Sequence, residues 1–106
     1  MSWTVLWTDN ARRSLLEFRD QYEDRRTDAG TELVRRILES TRGLSRFPRL
    51  APVHPRLGDD SIRKLVVKRH IVIYQVRDTH QDVAILALRH IRQRDPDLKD
   101  LVEDPG

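Results

Sequence analysis

The sequence predicts an α+β domain in which an antiparallel helical hairpin packs on a small, mainly antiparallel four-stranded sheet, in the order β-α-α-β-β-β. Two observations support this class. Residues 11–44 contain two stretches whose apolar side chains recur at helical spacing. Residues 62–94 contain three short β-branched or aliphatic runs, at 65–67, 71–76 and 83–88, each bounded by charged or turn residues. The third run is apolar throughout, so we expect both of its faces to be covered.

The first strand is predicted over residues 3–7, a β-branched and aromatic run. Thr8 follows as a helix N-cap, and Asp9 places a negative charge in the first turn, where it suits the helix dipole. The first helix then carries one apolar stripe that stops near Arg26. The stripe consists of Ala11, Leu15, Phe18 and Tyr22.

A break and a new cap at residues 27–30 start the second helix. Its apolar face consists of Leu33, Val34, Ile37, Leu38, Thr41 and Leu44. Because only about four residues join the two helices, we expect an antiparallel hairpin. Phe47-Pro48 ends the second helix. Residues 48–61 contain three prolines and Gly58, which predicts an ordered surface loop.

The three later strands are predicted over residues 65–67, 70–76 and 82–89, as an antiparallel meander with a tight turn at Lys68-Arg69. The helical hairpin should cover one face of this sheet and leave the opposite face open or only partly covered.

The pattern lapses after Arg94, where Asp95-Pro96 breaks it. We therefore divide the chain into a domain at 1–94 and an acidic C-terminal tail at 95–106. Leu98, Leu101 and Val102 are spaced for a single helical turn.

The charge of the chain is segregated, although the net charge is only +3. Residues 62–94 contain eight Lys or Arg against two Asp, which gives +6, whereas residues 95–106 contain five acids against Lys99, which gives −4. A basic module of this kind indicates an anionic partner, or an acidic tail that screens the basic patch.

Several classes of protein are disfavoured by composition. The chain has no cysteine, so neither a disulfide scaffold nor a thiol catalyst is expected. Its longest apolar run is short, which disfavours secretion and membrane spanning and favours the cytoplasm. The four histidines lack the paired spacing of a metal site. We therefore expect no metal and no cofactor.

The ordered combination of motifs resembles the RelE/ParE superfamily of toxins from type II toxin–antitoxin systems, over about residues 3–93. The resemblance rests on the element order, the Trp-Thr before the first helix, Phe-Pro-Arg-Leu after the second, Arg63-x-Leu65, Tyr74-Gln-Val76 and the ending Ile85-Leu-Ala-Leu-Arg-His-x-Arg-Gln93. It implies one of two activities, cleavage of messenger RNA on the ribosome or inhibition of DNA gyrase. It also implies an antitoxin partner.

Three departures from the RNA-cleaving branch favour the ParE-like branch. The RNA-cleaving branch has an Arg three residues before the motif Tyr, where this chain has Ile71. It also commonly has a C-terminal Tyr, whereas this chain has no aromatic residue after Tyr74. The closing Leu-Arg-His-x-Arg-Gln resembles ParE-type and plasmid-stabilisation-type sequences.

The first hypothesis is accordingly a ParE-like toxin that binds gyrase stoichiometrically, is not an enzyme and causes growth arrest. Its predicted target-binding residues are Arg63, Arg69, Arg89, His90, Arg92 and Arg94. The alternative is a RelE-like, ribosome-dependent endoribonuclease with Arg89, His90 and Arg92 as its cationic and acid–base set. A third possibility is a chromosomal relic that only binds its antitoxin. For His70 and His90 we favour packing or contact roles over chemistry.

The antitoxin is expected to be a small acidic protein that forms a hetero-oligomer with the chain. A thin two-layer domain leaves apolar surface for a partner helix and strand. The predicted antitoxin-binding surface is an open groove near Leu15, Phe18, Leu38 and Leu65.

Overall fold

The computed structural model describes residues 2–23 and 28–101, apart from the side chain of residue 23. It confirms the α+β class and the predicted order of elements. The elements are β1 (Thr4–Trp7), α1 (Asp9–Glu23), α2 (Ala29–Arg42), a 3₁₀ turn (Gly43–Ser45), β2 (Ile62–Val67), β3 (His70–Arg77), β4 (Asp82–His90) and a second 3₁₀ turn (Leu98–Asp100). None of the helices in the described part of the chain is long and apolar enough to cross a membrane.

The four strands form one sheet in the order β1-β4-β3-β2. The predicted meander is confirmed, because β2, β3 and β4 pair antiparallel. β1 adds to the other side of β4 in parallel. β2 begins at Ile62, earlier than predicted, because Ile62 pairs with Gln75 and extends the ladder beyond the apolar run.

Thr8 performs the predicted capping role and also ties α1 to the sheet. Its hydroxyl oxygen accepts a hydrogen bond from the Ala11 N–H at 3.2 Å, which satisfies a donor in the first helical turn. The same hydroxyl donates to the Ile85 carbonyl of β4 at 2.9 Å. The entry angle of the helical hairpin is therefore set by the central strand on which it packs.

The helical hairpin covers one face of the sheet, as predicted. The principal core unites the stripe residues of both helices with alternate residues of the strands. This core contains Ala11, Leu15, Phe18, Leu33, Ile37, Leu44, Ala51, Val67, Val72, Tyr74, Val76, Val83, Ile85 and Leu88. Trp7 packs against it from β1, and Trp3 does so from the residue before that strand.

The opposite face of the sheet is partly covered, which confirms one of the two predicted alternatives: it is not open, yet Val66 on this face is 55 % exposed. Its buried residues are Ile62, Ile71, Ile73, Ala84, Leu86, Ala87 and Leu101. The cover comes from the loop after α2, through Leu57, and from the segment after β4, through Leu101. Because of this second layer, β4 is buried on both faces, as its continuous apolar run predicts.

The described part of the predicted acidic tail packs on the domain. Asp95 contacts Arg89 of β4, and Leu101 is only 3 % exposed. Leu98 begins a 3₁₀ turn, which agrees with the predicted helical turn, whereas Val102 and the rest of the tail lie outside the described residues. The core thus extends past Arg94 to Leu101.

Candidate functional site

Five basic residues lie in the two segments at one end of the sheet, the β2–β3 turn and the end of β4 with the residues that follow it; we call this the basic end. They are Lys68, Arg69, His90, Arg92 and Arg94. The β2–β3 turn and the segment after β4 come together because His70 pairs with His90 and the Ile91 N–H donates to the Arg69 carbonyl at 2.8 Å. All five except His90, which is half-buried, are exposed to solvent.

Arg89 belongs to the other face of the sheet and is held within the fold. Its Nε donates to the Asp95 carboxylate at 2.8 Å, and a terminal nitrogen donates to the Gln93 carbonyl at 2.7 Å. Successive strand residues point to opposite faces, so Arg89 and His90 diverge, as their adjacency predicts. Arg89 fixes the segment after β4 and does not present its guanidinium at the basic end.

Asp95 also contacts the buried His54 of the preceding loop. His54 Nε2 lies 3.2 Å from Asp95 Oδ1, an electrostatic contact rather than a well-aligned hydrogen bond. Burial acts to raise the pKa of Asp95, but the hydrogen bond from Arg89 and the contact with His54 outweigh it and hold that pKa below its usual value. A carboxylate of the predicted acidic tail therefore screens a cation of the predicted basic module.

Arg63 lies apart from the basic end. It stands near the start of β2 opposite Tyr74, and its guanidinium donates to the Ala51 carbonyl at 2.9 Å. This contact secures the loop after α2. Of the six predicted target-binding residues, four lie in the segments of the basic end: Arg69, His90, Arg92 and Arg94. Among these, Arg94 lines a pocket together with Arg89 and Asp95.

The imidazole of His70 is buried among aromatic rings beside the basic end. Its ring centroid lies 4.7 Å from Phe18, 6.0 Å from Tyr22 and 5.3 Å from His90, each in an edge contact. Neither ring nitrogen has a hydrogen-bond partner among the described residues. Burial, and secondarily the charge of His90, lowers the pKa of His70 to about 4. The packing role proposed for His70 is confirmed.

His90 combines a ring contact with a local backbone role. Its Nδ1 accepts a hydrogen bond from the Arg92 N–H at 3.1 Å, and its own N–H donates to the Gln93 side chain at 2.7 Å. These bonds shape the turn that presents Arg92 and Arg94. The imidazole therefore positions the basic end whether or not it also contacts a target.

Tyr74, the tyrosine of the Tyr-x-Val motif, is fully buried. Its hydroxyl oxygen accepts a hydrogen bond from the Ala51 N–H at 3.3 Å, and burial raises the pKa of the phenol. The motif tyrosine thus supports the loop that Arg63 also holds.

The predicted antitoxin-binding residues do not form one open groove. Leu15 is 6 % and Phe18 is 8 % exposed, so the expectation that both offer open surface is wrong. The edge of Leu15 still reaches a groove of about 420 Å³, together with Leu38 and Trp7. We call this the β1 groove, bounded by β1 and the two helices. Leu65 lines a separate groove of about 570 Å³ beside β2.

Sequence reasoning missed His54 and Asp95 as partners within the fold. His54 was assigned to a surface loop, yet it is 3 % exposed, and its Nδ1 accepts N–H groups from Arg56 and Leu57. The prolines on either side of His54 are typical of an exposed loop, so the sequence does not indicate that this side chain is buried. Within residues 2–23 and 28–101, no group of three or more His, Cys, Asp or Glu side chains is placed to hold a metal ion.

A helical hairpin on a four-stranded sheet, with a basic sheet end and apolar grooves, defines a small two-layer α+β domain. The chain matches the family model described as the ParE toxin of the type II toxin-antitoxin system, parDE, over residues 5–95. It belongs to this family. No curated protein matches the chain.

The solved structures to which the chain is similar include three toxin or toxin–antitoxin structures. A chromosomal ParDE toxin–antitoxin system from P. aeruginosa aligns with a TM-score of 0.69 at 17% identity, covering 84% of this chain and 96% of that one. The RelBE2 toxin–antitoxin complex from Mycobacterium tuberculosis aligns with a TM-score of 0.62 at 25% identity, covering 85% of this chain and 99% of that one. A mutant of the E. coli toxin RelE in the free state aligns with a TM-score of 0.65 at 13% identity, covering 87% of this chain and 86% of that one.

Proposed function

We propose that this toxin inhibits DNA gyrase by stoichiometric adhesion through its basic end. The observation that carries the proposal is that four exposed cations, Lys68, Arg69, Arg92 and Arg94, lie in the two segments at one end of a sheet whose interior is apolar. Clustered cations attract an anionic macromolecular surface and accelerate its association. Membership of the ParE family supports this branch.

The disposition of Arg89 and His90 supports adhesion over RNA cleavage. Metal-free cleavage needs an acid–base group and cations that converge on one phosphate. Here Arg89 lies on the face opposite His90 and is occupied by Asp95, and His90 Nδ1 is occupied by a backbone N–H. The pair would have to rearrange before it served such a reaction.

Ribosome-dependent RNA cleavage remains the second candidate because RelE and RelBE2 structures share the fold. In this alternative His90 and Arg92 supply the acid–base and cationic groups. Primer extension on translated messenger RNA checks it, and new codon-spaced 5′ ends would favour it over the gyrase proposal.

A supercoiling assay with purified gyrase and relaxed plasmid tests the main proposal. We expect inhibition at near-stoichiometric toxin and accumulation of cleaved DNA. Full supercoiling at excess toxin, without any cleaved complex, would refute the proposal.

The β1 groove is our candidate surface for a cognate antitoxin, in a hetero-oligomer that acts in the cytoplasm. Leu38 is 37 % exposed there beside the edge of Leu15, and β1 is an edge strand with backbone groups available for pairing. Leu38→Asp should abolish co-purification with the antitoxin. Phe47→Asp, at another exposed apolar site, is the matched control and should leave the complex intact.

A further inference from the structure

A pocket of about 440 Å³ opens beside the basic end, between the helical hairpin and the β2–β3 turn. We call it the end pocket. Tyr22 from the end of α1 and Leu33 from α2 form its walls, and His70 lies at its base. Arg36, Lys68 and Arg69 stand around its mouth. The end pocket therefore joins an apolar recess to two cations of the basic end.

The rim of the end pocket carries an excess of positive charge. Glu32 is the carboxylate among the described lining residues, and its side chain is already bound by Arg35 and by Arg36 Nε at 3.0 Å. Lys68 and Arg69 are exposed on the turn. A partner that fills the recess gains most when it brings negative charge to this rim.

The recess itself selects an apolar group. Neither nitrogen of His70 is accessible, because the ring packs against Phe18 and His90. No imidazole donor or acceptor is therefore presented to read the edge of a nucleobase. The walls instead offer the ring of Tyr22 and the side chain of Leu33, which suit an inserted aromatic ring.

We infer that the end pocket docks one aromatic side chain carried by an acidic segment of a protein partner. This inference rests on the proposed function in taking a protein as the target, and it names the kind of segment that the basic end would recognise. An anchor in an apolar pocket beside complementary charge is the arrangement that concentrates binding energy in protein interfaces.

A peptide titration of the 106-residue chain, followed by ¹⁵N amide shifts, tests the inference without gyrase. The probe is Ac-Glu-Phe-Glu-NH₂. We expect saturable shifts at the amides of Leu33, Lys68, Arg69 and His70. Ac-Glu-Ala-Glu-NH₂ and Ac-Lys-Phe-Lys-NH₂ should bind about tenfold more weakly or worse, because each lacks the anchor or the charge. Equal binding of either control peptide, or tighter binding of thymidine 5′-monophosphate at the same amides, overturns the inference.

Two tryptophan variants test whether the peptide binds in the end pocket. Ala29→Trp places a ring in the pocket and should remove the shifts, whereas Glu17→Trp on the outer face of α1 should keep them. A double variant, Arg36→Glu with Lys68→Glu, keeps the test available if the Ala29→Trp variant is misfolded. It should bind the Glu-flanked probe at least about tenfold more weakly than the wild type. Unchanged affinity in a folded variant contradicts the inference. A failed supercoiling assay with a positive titration would instead refute the gyrase proposal alone.

Discussion

The imidazole of His70 packs between Phe18 of α1 and His90 of β4. Protonation would place a charge there beside Tyr22 and His90, with Arg36, Lys68 and Arg69 around the adjoining pocket. Its pKa of about 4 in the folded chain lies below the ordinary value of 6.5, so the unfolded chain binds the proton more readily. Stability is therefore full above pH 6.5 and declines as the pH falls toward 4.

His70→Phe tests this linkage, because phenylalanine preserves the ring contacts and does not titrate. We expect the wild-type free energy of unfolding to fall about 2 kcal/mol more between pH 7 and pH 5 than that of the variant. Urea denaturation at the two pH values measures the difference. His80→Gln, at an exposed turn, should retain the wild-type pH dependence; a wild-type slope in His70→Phe would show that another group is responsible.

The sequence anticipates the direction of these side chains better than their partners. Strand alternation correctly places His70 on the face of Val72 and Tyr74, where it contacts Phe18 of the principal core. It also separates Arg89 from His90. It does not reveal that Arg89 is paired with Asp95, because the pairing depends on how the chain returns after β4. Arginines that look alike in the sequence therefore differ in role: Arg63 and Arg89 are held by contacts within the fold, whereas Arg69 and Arg92 are exposed.

At the scale of elements, the segment after β4 acts as a cover for the second face of the sheet. Arg89 and Asp95 pin its beginning, with side chains only 12% and 20% exposed, and Leu101 anchors its described end. An ion pair this shielded from solvent leaves an uncompensated charge when one partner is removed.

Asp95→Asn should destabilise the domain by about 2 kcal/mol, because Arg89 would lose its carboxylate. Denaturant unfolding at neutral pH measures the loss. Since the pKa of Asp95 is depressed, the ion-pair contribution is present above the unfolded pKa and disappears as the pH falls through the folded value. Asp97→Asn, exposed on the same segment, should change stability little; equal losses in both variants would discount the ion pair.

Gly58 shapes the loop that provides the rest of the cover. Its φ is +58°, and a Cβ at this position would lie 2.5 Å from Ile62 Cγ1. Gly58→Ala should therefore cost about 1–3 kcal/mol, through left-handed strain and displacement of a buried side chain. Gly43→Ala is the matched control, since its Cβ would meet nothing within 4 Å. Thermal unfolding compares them, and a wild-type midpoint for Gly58→Ala would contradict this account.

The element order was predictable because helical and strand periodicities are local properties of the chain. The apolar run of β4 also predicts that its second face is covered, but the residues that cover it were not predictable, because Leu57 and Leu101 are isolated apolar residues in irregular segments. These two residues are covered because their segments fold back over the sheet, and a single sequence contains no periodic signal for such a path.

In the described part of the molecule as a whole, ion pairing holds some cations within the fold and leaves others exposed at the basic end. Asp95 neutralises Arg89 on the second face, while Lys68, Arg69, Arg92 and Arg94 remain exposed at the basic end. The β1 groove lies beside the strand at one edge of the sheet. We expect antitoxin recognition and target recognition to respond to different substitutions for this reason.

The most direct test of the central claim measures how strongly a toxin variant inhibits supercoiling by gyrase. In this basic-end variant, Arg69, Arg92 and Arg94 are changed to Ala. The matched control changes Arg13, Arg42 and Arg46, which are exposed elsewhere. We predict that the basic-end variant remains folded and loses inhibition at least about tenfold, while the control inhibits like the wild type. Undiminished inhibition by the folded basic-end variant would contradict adhesion through this end of the sheet.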